Sequence, residues 1–145
     1  MQPLNLPPYP FRLKRMSGEV HIFDELRSKW LVCAPEEWVR QHLVMFLIHQ
    51  KGYAKGRIGI EHALTLSGVT RRADIVTFDA QGTPQLLVEC KAPNIKLTEA
   101  VFDQAVQYNL VLGMPYLAVS NGLEHHCCTW KNNQVVFLED WPSGA

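Results

Sequence analysis

The chain has 145 residues, 47% of them hydrophobic and 19% charged, with 14 Lys and Arg balanced by 14 Asp and Glu. This is globular composition with enough apolar material for one buried core, and the length leaves no room for a second domain. No apolar run approaches the roughly 20 residues of a membrane helix, and Met1-Gln2-Pro3-Leu4 starts no secretory leader, so a cytoplasmic protein is expected.

The zero net charge hides an uneven distribution. Residues 1–96 hold 13 of the 14 Lys and Arg but 9 of the 14 Asp and Glu, a surplus of four positive charges that the remaining residues reverse. Either a basic face opposes an acidic one, which suits local phosphate contacts, or the asymmetry is an ordinary solvated surface.

Residues 1–10 contain four of the nine prolines and read as an extended, poorly structured arm. Segments 11–15 and 19–23 flank Ser17-Gly18 as a short hairpin. Pro35 suits the first position of a helix, Glu36 and Glu37 suit its positive end, and apolar residues carry it to Ile48, before Gly52. Strands are predicted over 57–66 and 72–78 around Ser67-Gly68, then over 85–91 after Ala80-Gln81-Gly82. Thr98 caps a second helix that runs to about Leu112, where Gly113 and Pro115 stop it. Strands over 116–120, 124–130 and 134–138 follow, split by Asn121-Gly122 and Asn132-Asn133. The pattern predicts an α/β (α+β) domain with a central mixed sheet flanked by helices. It divides as an arm and hairpin start over 1–20, a main domain over 21–140 and a tail over 141–145.

Cys33, Cys90, Cys127 and Cys128 show no paired CxxC spacing and read as reduced thiols. His125, His126, Cys127 and Cys128 invite a zinc site, but neighbours on a strand point to opposite faces, so at most alternate members could share one ion.

The chemistry concentrates in Asp74, Glu89 and Lys91. Glu89 and Lys91 are two apart on one strand and project from the same face, with Cys90 turned the other way. A hairpin turning about Gln81 and Gly82 sets Asp74 opposite Glu89. Opposed Cβ atoms in an antiparallel pair are about 4.5–5.5 Å apart, near enough for two carboxylates to share a hard cation such as Mg²⁺, which offsets their repulsion. A one-residue slip would undo this register. Lys91 either orients an attacking water and counters charge developing on a phosphodiester, or simply pairs with Glu89 or Asp74.

Glu37 is a candidate fourth member on the first helix, although acids there also serve the helix dipole, as Glu36 does. Gln104 and Tyr108, four apart on the second helix, could touch a phosphate, a base or the lysine, or form a plain polar stripe. Arg71, Arg72 and Lys96 flank the motif as phosphate contacts or as ordinary turn residues.

Several ordered segments together carry a resemblance: Phe23-Asp24 with Arg27; Pro35-Glu36-Glu37-Trp38-Val39-Arg40-Gln41; Arg72-Ala73-Asp74; Val88-Glu89-Cys90-Lys91-Ala92-Pro93; Phe102-Asp103-Gln104 with Tyr108; and Ser120-Asn121-Gly122. Over roughly residues 20–140 the chain resembles the N-terminal nuclease domain of type I restriction enzyme R subunits. The resemblance implies a restriction-endonuclease-like PD-(D/E)xK fold and Mg²⁺-dependent DNA cleavage, with Mn²⁺ as a substitute. It implies Asp74, Glu89 and Glu37 as metal ligands, Lys91 as the catalytic lysine, and Gln104 with Tyr108 as a QxxxY motif. Ala73 replaces the proline of the class name and Ala34 a usual capping Thr, and neither change removes a functional group. No GxxxxGK[ST] loop occurs, so a motor would have to come from a restriction-system partner. The alternative is a DNA-binding or partner-recruiting subunit that keeps the fold, and a homodimer would supply two sites for a duplex.

Overall fold

Two sheet systems, two α-helices and a short 3-10 turn over Lys55–Arg57 make up the regular structure of residues 1–144, the residues that the computed structural model describes. The first system is a three-stranded meander of β1 (Leu13–Met16), β2 (Glu19–Asp24) and β3 (Lys29–Val32). It corrects the sequence expectation of a two-stranded hairpin. β3 has four residues, and its turn from β2 is reversed by Ser28 at φ 52° without a glycine, so neither end carries a conventional signal.

After α1 (Pro35–His49) comes a six-stranded sheet whose order follows the chain: β4 (Ile58–Leu66), β5 (Val69–Phe78), β6 (Pro84–Cys90), β7 (Tyr116–Ser120), β8 (His125–Lys131) and β9 (Gln134–Leu138). α2 (Glu99–Leu112) carries the chain between β6 and β7, the parallel pair in an otherwise antiparallel sheet. A parallel pair needs such a crossover, whereas the other neighbours need only hairpins. Ser17-Gly18, Ser67-Gly68 and Asn132-Asn133 supply positive φ at both turn positions, the geometry that matches strand twist. Thr98 caps α2 by accepting from Val101 N–H at 3.2 Å, and Gly113 closes it at φ 74°.

The helices flank the sheet. Val39, Leu43 and Leu47 of α1 pack on Ile75, Leu86 and Val88, while Ala105 and Val106 of α2 pack on Leu117 and Val119. Fully burying a side chain such as Leu43 or Leu47 stabilises by about 1.5–3 kcal/mol. The expected mixed α/β architecture is therefore observed. Cys127 and Cys128 join cores on opposite sides of the sheet, and burial pushes their thiols up to about 12 and about 11.

Both terminal segments, residues 1–10 and 141–144, are tied to the fold, and Ala145 of the expected tail lies outside the described residues. The arm is extended, as its prolines require, but Asn5 donates its N–H to Gly122 O at 2.8 Å. Trp38 Nε1 donates to Gln2 O at 2.7 Å, and His125 Nε2 donates to Asn5 O at 2.9 Å. Trp141, expected to open a tail, is 7% exposed within the α1-side core. Tyr53 donates its hydroxyl to Pro142 O at 2.6 Å.

Gly122 joins the arm to α1. It sits at φ 84°, and an added Cβ would lie 2.8 Å from Leu4 Cδ2 and 3.1 Å from Val39 Cγ2. Gly122→Ala is therefore expected to cost at least about 1–2 kcal/mol from the left-handed backbone alone and to lift Leu4. Chemical denaturation and proteolysis near residues 4–6 would record both effects.

His125 adds a pH dependence. Burial, the largest cause, lowers its pKa, although the Asn5 carbonyl opposes the shift. A histidine held neutral in the fold stabilises fully above its unfolded pKa of about 6.5, and that stability is lost as pH falls below it. His42, also buried, acts in the same direction. The melting temperature is expected to fall from pH 7 to pH 5, with a shallower fall in His125→Gln. An unchanged slope in that variant would remove His125 as a source.

Candidate active site

The hairpin joining β5 and β6 sets the site's register. Asp79 Oδ1 accepts from Gln81 N–H and Thr83 N–H, each at 2.9 Å, which fixes the turn. The ladder then pairs Thr77 with Leu86, Val76 with Leu87 and Ile75 with Val88. Asp74 and Glu89 lie one position beyond Ile75↔Val88, the last pair of this ladder. Asp74 Oδ2 accepts Cys90 N–H at 2.7 Å, so its carboxylate is tied to the end of β6 where Glu89 and Lys91 lie.

Glu89 is partly buried, and among the described residues its carboxylate has no hydrogen-bond or ion-pair partner. Burial, the largest cause, raises its pKa; Lys91 lowers it, and Asp74 and Glu36 raise it further. Lys91 thus stands near enough to act on Glu89 but forms no ion pair within 4.0 Å among the described residues.

On α1 the exposed Glu36 accepts at 3.1 Å from Arg40 Nη2, the nitrogen that also reaches Asp74 Oδ1 at 3.4 Å. The Glu36 pKa is raised by partial burial first and by Asp74 second, with Arg40 and Lys91 opposing. Glu37, the acid expected as a ligand, is committed elsewhere. Its Oε1 accepts from Arg40 at 2.7 Å and Arg27 at 3.5 Å, while its Oε2 accepts from Gln41 at 3.1 Å. The choice between adjacent acids depends on helix phase, and Glu37, at 8% exposed, faces the packed side.

Arg40 draws the network together. Its guanidinium lies 2.7 Å from Glu37, 3.1 Å from Glu36, 3.3 Å from Glu61 and 3.4 Å from Asp74. Arg27 holds Asp24 at 2.6 Å and also approaches Glu37 and Glu61. Glu61 was not singled out in the sequence. It sits in β4 at φ 47°, interrupting the pairing between Ile60↔Ile75 and His62↔Ala73, and it faces Arg72 at 3.6 Å. A left-handed glutamate within a strand is strained backbone, a condition that clusters at functional sites. Nothing in the local sequence, Ile60-Glu61-His62, announces it.

Within this linked set, Asp24, Glu36, Glu37, Glu61, Asp74 and Glu89 face Arg27, Arg40, Arg72 and Lys91, a formal charge of −2. One divalent cation would neutralise it. Among the described residues no three His, Cys, Asp or Glu side chains converge to hold a metal by themselves. Mg²⁺ commonly takes one or two carboxylates and completes its shell with water and substrate phosphate. Asp74 and the unpartnered Glu89 fit that donor set.

On α2, Gln104 and Tyr108 are both exposed on one helical face. The Arg71 guanidinium lies over the Tyr108 ring at 5.1 Å, linking that face to β5. Arg72 and Lys96 are exposed. No described helix is long and apolar enough to cross a membrane.

No curated protein matches the chain. A solved fragment of a putative HsdR subunit of a type I restriction enzyme from Vibrio vulnificus YJ016 is similar, with 23% identity and a TM-score of 0.41, over 60% of this chain and 17% of that one. The family model described as type I restriction enzyme R protein N terminus matches residues 35–142. That match takes in Glu36, Asp74, Glu89, Lys91, Gln104 and Tyr108 within most of the chain's length, and the chain belongs to this family.

Proposed function

We propose that the chain hydrolyses DNA phosphodiester bonds in a Mg²⁺-dependent reaction of the PD-(D/E)xK type. The observation that carries this reading is the set at the end of β6: Asp74 and Glu89, each one position beyond the last β5–β6 pair, Lys91 two residues on, and Glu89 and Lys91 without an ion-pair partner among the described residues. A bound Mg²⁺, or Mn²⁺ in its place, would polarise the phosphate and activate water at neutral pH.

Asp74 and Glu89 supply the carboxylate ligands. The Cys90 N–H orients Asp74, so one oxygen is fixed and the other is directed toward Arg40 or a ligand. Glu36 takes the helix-acid role first expected of Glu37, and Glu37 anchors Arg40. Lys91 keeps its ammonium available to orient the attacking water and to counter charge building on the phosphate oxygens. Gln104 and Tyr108 line the approach from α2, and Arg71, Arg72 and Lys96 contact flanking phosphates.

The test is cleavage of single-stranded and duplex DNA by the purified chain in Mg²⁺ or Mn²⁺ at low salt, with EDTA and with Asp74→Asn and Lys91→Ala. Metal-dependent cutting lost in both variants supports the reading. DNA binding without cutting, with a restriction-system motor partner present, would instead make the chain a DNA-holding subunit.

A further inference from the structure

The β1–β3 meander precedes the matched family region, which begins at residue 35. Its register pairs Lys14 with His21 and His21 with Val32. Phe23 pairs with Trp30, and Phe23 N–H bonds to Arg12 O at 3.0 Å. Strand alternation therefore sets Arg12, Lys14, Glu19, His21, Phe23 and Trp30 on one face, two cations against one acid. The opposite face carries Ile22 at 0% exposed and Cys33 at 8% and looks into the protein.

The outward face is built as well as basic. The Phe23 and Trp30 rings meet edge to face at 5.3 Å. Arg12 lies 4.4 Å above the Phe23 ring, and the Lys14 ammonium 4.1 Å above Trp30. Among the described residues neither cation has an ion-pair or side-chain hydrogen-bond partner. The rings restrict where the cations sit while leaving their N–H groups unused, which lowers the ordering cost of binding an anion.

We propose that this face binds single-stranded nucleic acid, an inference that rests on the nuclease reading of the neighbouring site. Charge complementarity points to a polyanion, and the aromatic rings favour one that carries bases over an acidic peptide. A flat three-stranded face accommodates an extended strand, whereas a duplex is read by elements that enter its groove. Arg12 and Lys14, two residues apart on one extended segment, are separated by about 6.8 Å and present a row of cations to successive phosphates. Val32 and Glu36 are four residues apart, at most about 14 Å of chain, so a strand on the face is delivered close to the candidate centre.

The test is fluorescence anisotropy of a labelled oligo-dT with the whole chain in EDTA, which separates binding from cleavage. Arg12→Ala/Lys14→Ala is expected to weaken binding about tenfold at low salt and to reduce the log–log salt slope by about 1.4. Trp30→Leu is expected to weaken it about fivefold, the loss of one stacked base, with circular dichroism checking the fold. Unchanged affinity and slope in the double variant overturn the proposal, as does equal loss for duplex DNA or equal competition by polyglutamate. If wild type fails to cut even with a restriction-system motor partner present but the double variant still loses binding, the nuclease reading falls and this surface stands. Retained cutting with unaltered binding gives the reverse.

Discussion

Asp74→Asn is expected to lower Mg²⁺-dependent cleavage by about 10³-fold, the scale of losing one preorganised electrostatic group, while leaving the fold intact. The substitution keeps an oxygen that can accept the Cys90 N–H and removes a charge that repels Glu36 and Glu89. Losing one member of a crowded acidic set relieves like-charge repulsion, and this offsets the lost contact with Arg40 at 3.4 Å. Scanning calorimetry without metal should therefore give a melting temperature no lower than wild type. With metal the order changes. A ligand that binds only the native state stabilises by about 2.7 kcal/mol at one hundred times its dissociation constant, and Asp74→Asn should forgo that increment. Equal stabilisation of both proteins by Mg²⁺ would show that Asp74 is no ligand, whatever the cleavage assay gives.

Arg40→Gln is expected to have the largest effect on stability. The Arg40 side chain is 7% exposed and faces four carboxylates, one of them the 10% exposed Glu37. Removing one partner of a buried ion pair costs about 3–5 kcal/mol because the other charge is left uncompensated, which for a domain of this size lowers the melting temperature by roughly 10–20 °C. Arg27 and Gln41 also reach Glu37, which places the loss toward the lower end. The double variant Arg40→Met/Glu37→Leu removes both charges and should recover part of the loss. If it is no more stable than Arg40→Gln, unpaired charge is not the cause. Among the described residues the buried Arg40 Nε has no partner, so the fork is stretched across its acids rather than matched to one.

The elements that depend on local chemistry were legible in the sequence. The bounds of β7 and β9, the Thr98 cap, the Gly113 stop and the Ser-Gly and Asn-Asn turns follow from backbone preferences that need no distant partner. The β5–β6 pairing expected about Gln81 and Gly82 holds from Thr77↔Leu86 to Ile75↔Val88, although a register shift between Thr77 and Phe78, which no local residue announces, separates it from the turn. What escaped depends on contacts between segments. β3 is four residues long and is defined by its pairing with β2. The arm reads as loose because its anchors, Gly122 and His125, are more than 100 residues away. Glu36 and Glu37 are indistinguishable as letters, and only the rotation of α1 against the sheet buries Glu37 between Arg40 and Arg27 while leaving Glu36 exposed, with a contact to Arg40 at 3.1 Å. Glu61 enters the network through a left-handed backbone that its sequence does not signal.

The sheet order also bears on how the molecule assembles. From β4 to β9 every strand lies beside its neighbour in the chain, so pairing can spread along the sheet by short loop closures, the arrangement that favours rapid folding. The β6–β7 step is slower, since α2 must form and pack before those strands align. Closure of the arm over Gly122 and His125 spans nearly the whole chain and follows last. In hydrogen-exchange pulse labelling the β4–β5 amides should gain protection early and the Asn5 amide late. A nascent chain would therefore hold the Ile75–Val88 pairing beside Asp74 and Glu89 before its first residues are docked.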